Sequence, residues 1–269
     1  MSIAGWSIDL PFAYVALMAA LWLWGGRGGV PARRWRSVAF WAGLATLVIA
    51  LDSPIDTEAD KLLWVHMVQH LLLLTVAPPL LLLARPGPRL LRALPTAVRR
   101  PLAHGFAHSR WAAPLRALAR PLPAWLAFTV TLAVWHVPAL YEATLRSQAL
   151  HDLEHITFYA TALLFWAHAL AVPPLRTMLD WPRRAVYVAA AMVVGWVLAL
   201  IFALARHPLY AAYAHLAHRP GGLSALSDQQ LAAGMMWVPG SISFTIAFIY
   251  ALYRWLEPQR ERAASAMTI

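Results

Sequence analysis

A chain of 269 residues that is 61% apolar and 13% charged, with a mean hydropathy of +0.57, is not an ordinary soluble domain and reads as a protein crossing a bilayer several times. The absence of cysteine excludes disulfides, CxxC redox chemistry and thiolate metal sites, so any metal must be held by His, Met, carboxylate or carbonyl. The net charge of +10 would suit nucleic acid, but its distribution along the chain points to membrane topology and anionic-lipid contact, with no nucleic-acid partner.

The expected fold is all-α, a bundle of seven transmembrane helices in a single domain over 1–269. The spans are read at about 8–24, 37–51, 62–83, 124–141, 149–171, 185–205 and 230–254. The first lacks a basic n-region and ends at Gly25-Gly26 without a small-x-small cleavage site, so it reads as a retained span. The first two are short for the ~20 residues a bilayer core needs. They are expected to extend into Trp6 and Trp35 at the interface. Pro78-Pro79 near the end of the third reads as a kink or stop.

The connections alternate in charge. The first carries Arg27, Arg33, Arg34 and Arg36, whereas the second carries Asp52, Asp56, Glu58 and Asp60 beside Lys61. The long third connection, 85–123, holds eight Arg and no acid, with Leu and Trp between prolines, as suits a helix or two lying in the interface. The fifth has Arg176, Arg183 and Arg184, and the tail has Arg254, Arg260 and Arg262. Of the 22 basic residues, all but Lys61, Arg146, Arg206 and Arg219 then fall on one side. The positive-inside rule makes that side cytoplasmic, with the N-terminus outside and the C-terminus inside.

The third span opens with HMVQH, and His66 and His70, four apart, project from one helical face. At 1.5 Å per residue they lie roughly 6 and 12 Å below the outer edge, behind a capping signal at Thr57-x-x-Asp60. The fifth span begins near Ser147, a fair N-cap, and repeats the spacing in His151 and His155. The fourth ends at Pro138, which brings His136 to the same level. Three helices thus carry five histidines to one stratum, with Asp52, Asp152, Glu154 and Asp228 on the same side.

Buried imidazoles are costly in lipid unless paired, and a metal or a His–carboxylate network would pair them. His66, His70, His136, His151 and His155 are the candidate metal ligands, with Asp52, Asp152, Asp228 and Met236 as possible support. Imidazole suits Cu(II), Zn and Fe, and the Met236 thioether would favour Cu(I). Ser227-x-x-Gln230 has capping-box form, which gives Asp228 a plain structural alternative, and Gly234 would allow close helix approach. His168 falls deeper and round the helix, and His104, His108, His207, His215 and His218 read as loop residues.

Three chemistries fit such a layer. One is a non-enzymatic copper site. The second is a haem b with His70 and His155 as axial ligands. The third is an intramembrane zinc hydrolase with Asp52 or Asp152 as base. A channel would need polar groups through the full depth, and the inner half is apolar.

The stretches LDSPID, HMVQHLLLLTVAPPLLLLARP, WHVPALYEATL, LHDLEHITFYATALLFW, HPLYAAY and DQQLAAGMMWVPG, in this order, resemble the multi-spanning CtaG family of cytochrome c oxidase assembly proteins over most of the chain. The resemblance implies a seven-helix protein of the bacterial inner membrane that aids assembly of a caa-type haem-copper oxidase, whose subunits would be its partners. It also implies copper as the metal delivered. The family's recurrent histidines map onto His66, His70, His136, His151 and His155, with Asp52, Asp228 and Trp237 in matching motifs.

Overall fold

The computed structural model describes residues 2–266 apart from 4–5, 8–9, 28–31, 173–178 and 217–218. Arg176 and His218 therefore lie outside the described residues. Among the described residues the chain is all-helical but for one short antiparallel pairing of Ser2–Ile3 with Trp6–Ser7. In order come α1 (Leu10–Trp24), α2 (Arg34–Leu51), α3 (Pro54–Ala59) and α4 (Leu63–Leu71). A π-helical turn, Leu72–Val76, leads into α5 (Ala77–Ala84). Short helices α6 (Gly87–Ala93), α7 (Thr96–His108) and α8 (Ala113–Leu118) follow, then α9 (Pro121–Trp135), α10 (Pro138–Arg146) and α11 (Gln148–Ala169). The chain ends with α12 (Trp181–Leu204), α13 (Ala211–Ala214) and α14 (Ala225–Ala266).

Among the described residues four stretches are long and apolar enough to cross a membrane: Arg34–Leu51, Leu63–Ala84, Trp181–Leu204 and Ala225–Glu257. The pair α9–α10 passes only as a unit, bent by 75° at the break before Pro138. Its ring removes a backbone donor and biases the preceding residue out of the helical region. The structure thus supports four or five candidate spans. The sequence count of seven adds α1, which is short, and α11, whose head carries His151, Asp152, Glu154 and His155. The surface fits a bilayer: Val197, Ile201 and Leu204 of α12 and Val238, Ile242 and Ile246 of α14 are all more than half exposed.

Pro78-Pro79 does not end its helix. Proline at 78 and 79 removes the N–H groups that would bond the carbonyls of Leu74 and Thr75. The backbone widens into the π turn, and donors from other helices replace the lost bonds. Trp166 Nε1 of α11 donates to the Leu74 carbonyl at 2.7 Å, and Ser243 Oγ of α14 donates to the Thr75 carbonyl at 2.6 Å. The helix then runs on to Ala84.

Close approach is provided by other glycines than Gly234, beside which a Cβ would meet nothing. A Cβ on Gly43 would come within 2.7 Å of the Leu81 side chain where α2 packs on α5, and one on Gly240 would come within 2.9 Å of Leu71. Two apolar clusters fill the interior away from the histidines. One stacks Phe128, Phe165 and Tyr187 against Trp166 and Phe244, and the other packs Trp22, Phe40 and Leu44 against Leu73, Ala77 and Leu81.

Candidate metal centre

The histidine-bearing helix α4 starts at Leu63, and its first N–H groups have no partner within the helix. Thr57 and Asp60 do not cap it. They belong to the separate turn of α3, where the Thr57 hydroxyl donates to the Pro54 carbonyl. The cap comes from the far end of the chain: Asp228 Oδ2 and Oδ1 accept from the backbone N–H of Leu63 and Trp64, each at 3.0 Å. A buried carboxylate there also meets the positive end of the helix dipole. Asp228 is therefore not the starting residue of its own helix. The cap of α14 is Ser224, whose Oγ accepts from the Ser227 N–H at 3.0 Å, and Gln230 is exposed.

With α4 anchored, His66 and His70 stack along one face, their Nε2 atoms 2.9 Å apart. Helix α11 faces them. Its N-cap position is Ser147 as expected, but the hydroxyl makes no capping bond. His155 lies 5.5 Å from His70 between ring centroids, and Glu154 Oε1 lies 3.7 Å from His70 Nε2. One ligand atom from each of His66, His70, Glu154 and His155 falls within 4.8 Å of the others, and all four side chains are buried. His151 flanks this group on the more exposed side, 4.1 Å from His155 and 5.5 Å from His66. His136 flanks it on the other side, 6.1 Å from His70.

Several buried atoms here are unsatisfied. Neither carboxylate oxygen of Glu154 has a donor at hydrogen-bond distance, and the neighbouring Thr144 hydroxyl donates to the Tyr141 carbonyl at 2.7 Å. His155 Nε2, His136 Nε2 and His70 Nδ1 likewise have no partner. Buried lone pairs and a buried carboxylate without donors are costly. A cation would satisfy imidazole lone pairs and a carboxylate together, so the donor set fits a metal ion.

Asp152 is exposed and accepts from Gln148 Nε2 at 2.8 Å, so the acid inside the cluster is Glu154, two residues on. Asp52 is buried at the C-terminal cap of α2. Met236 is half-buried and lines, with Met67, Met192, His70 and His136, a cavity of about 50 Å³ beside the histidines. His168 packs apart from the cluster and donates from Nε2 to the Ala119 carbonyl at 2.9 Å. His104, His207 and His215 are exposed.

The 205–224 connection closes over the site. Tyr210 stacks on Tyr141 at 4.0 Å and donates to the His136 carbonyl at 3.0 Å. Tyr213 donates to the Ala59 carbonyl at 2.7 Å and lies 3.2 Å from His66 Nδ1. Burial pushes the Tyr213 phenol up, so it stays protonated. Glu142 accepts from the Ala211 N–H and Gln229 from the Leu209 N–H, each at 2.7 Å, and Arg219 binds the Tyr213 carbonyl.

The apolar-surfaced helices are those of a membrane protein, and three buried imidazoles and a carboxylate around one point form a candidate metal site. The particular family follows from the whole chain. Residues 12–258 match the cytochrome c oxidase caa3 assembly factor family (Caa3_CtaG), and the chain belongs to it. Neither the curated proteins nor the solved structures gave a match.

Proposed function

We propose that this member of the oxidase assembly family serves maturation of the oxidase metal centres by holding a metal ion, copper favoured, at His66, His70, His155 and Glu154. The observation that carries this reading is the convergence of four buried ligand atoms within 4.8 Å, several of them without partners. A carboxylate among imidazoles offsets the charge of a divalent ion in a low-dielectric surrounding, and imidazole suits Cu(II). His151, the more exposed neighbour, would receive or release the ion, and His136 with the Met-lined cavity would serve its reduced, softer form. A space of about 50 Å³ beside the histidines has no room for a macrocycle, which favours a bare ion over a haem held by His70 and His155. The role is non-catalytic, and the partners are haem-copper oxidase subunits.

The alternation of basic and acidic connections supports seven crossings of a bacterial inner membrane, with α1 and α11 as the added spans and the histidine layer facing outward. The test is metal analysis of the purified protein beside its optical spectrum. Stoichiometric copper without a Soret band is expected, and it should be lost in the His70→Ala/His155→Ala double variant. Metal retained by a folded double variant would remove the site.

A further inference from the structure

The hydrogen bonds of Tyr213 decide which nitrogen of His66 carries the proton. The phenol has one proton, and it is donated to the Ala59 carbonyl at 2.7 Å, an atom that can only accept. His66 Nδ1, 3.2 Å from the same oxygen, must then be the donor in that contact. The Tyr141 hydroxyl, 3.3 Å away, can donate to the remaining lone pair. A neutral imidazole carries one N–H, so His66 Nε2 is unprotonated and in the metal-free protein accepts from His70 Nε2–H, 2.9 Å away.

His136 reaches the same state from within its own helix, its Nδ1–H donating to the Leu132 carbonyl at 2.7 Å. His66 has no such local acceptor, because the Leu62 carbonyl already accepts from the N–H groups of Val65 and His66. It depends on a residue 147 positions away in sequence.

We propose that Tyr213 is a positioning residue for His66: it holds the ring as the Nδ1–H tautomer and so presents the Nε2 lone pair to the cluster. Ligating histidines commonly have the second nitrogen fixed by such a partner, which sets ring orientation and ligand basicity. Tyr213 is itself well braced. Its ring is buried, its hydroxyl is tied to the end of α3, and its carbonyl is held by Arg219, which lies 3.9 Å from the capping carboxylate of Asp228. The same connection thus fixes where α4 starts and which nitrogen its first histidine offers. The consequence for metal affinity rests on the metal-holding reading above, whereas the tautomer does not.

The two parts are read separately with ¹⁵N-histidine-labelled full-length protein in nanodiscs, first metal-free and then titrated with Cu(II). Metal-free wild type should show His66 protonated at Nδ1. Tyr213→Phe should move that proton to Nε2 while His136 keeps its state, and should weaken Cu(II) binding about 10- to 100-fold. Tyr187→Phe, a buried phenol removed from the aromatic cluster, should change neither reading. An Nε2–H signal for His66 in the wild type overturns the proposal without any variant having to fold, and so does a Tyr213→Phe protein with unchanged tautomer and affinity. If the wild-type tautomer is as stated but no Cu(II) binds, the metal reading falls and the positioning of His66 stands.

Discussion

At one end of the molecule α4, α10 and α11 bury His66, His70, Glu154 and His155 against Tyr141 and Tyr213. Further along the same α11, Phe165 and Trp166 are buried against Phe128, Tyr187 and Phe244. Both regions are closely packed, yet among the described rings of the aromatic one the Tyr187 hydroxyl alone lacks a partner. Its rings stack at 4.5 and 4.8 Å, and the Trp166 N–H has its acceptor. The histidine region leaves lone pairs and carboxylate oxygens bare. A bilayer protein gains nothing from bare polar atoms, so the contrast separates the part built to hold the fold from the part built to hold something else.

Substitutions can break this contrast. Phe165→Ala in the aromatic region should be the costliest, about 3–5 kcal/mol by thermal or denaturant unfolding, because it removes two stacked rings' partner and leaves a cavity. The folded fraction should keep its metal. Glu154→Gln reverses the pattern. It keeps the volume but removes a buried carboxylate, so stability should hold or rise while metal affinity falls about tenfold or more. Equal loss of stability in both variants would erase the distinction between the regions. The smallest effect is expected from Ser243→Ala, which orphans the Thr75 carbonyl and should cost about 1 kcal/mol in unfolding measurements while leaving metal stoichiometry unchanged.

The features legible in the sequence are those written in local spacing. The apolar runs locate α2, the α4–α5 run, α12 and α14 to within a few residues, and Pro138 marks the break in the fourth span. The two i, i+4 pairs, with His136 from the break before Pro138, bring five imidazole rings into one layer. Glu154 was passed over because it sits one residue from His155, about 100° round an ideal helix, so the histidine spacing gives it no weight. Its position one residue deeper into the apolar run than Leu153, past Asp152, is the available signal. Asp228 and Tyr213 act across 165 and 147 residues of sequence, and no local pattern records which helix start or which imidazole a distant side chain will meet. The capping box at Ser227 was misleading for the same reason, since its acid had a partner elsewhere.

The prolines at 78 and 79 bear on how the protein comes into being. The helix carrying His66 and His70 is synthesised before its two borrowed donors, Trp166 on α11 and Ser243 on α14. Until both arrive, the carbonyls of Leu74 and Thr75 are bare in a medium with no water to bind them. A nascent chain that stops short of α14 therefore carries its first two histidines on an unfinished strut. Docking of the last helix thus completes, through Ser243 and the capping Asp228, a helix made long before it.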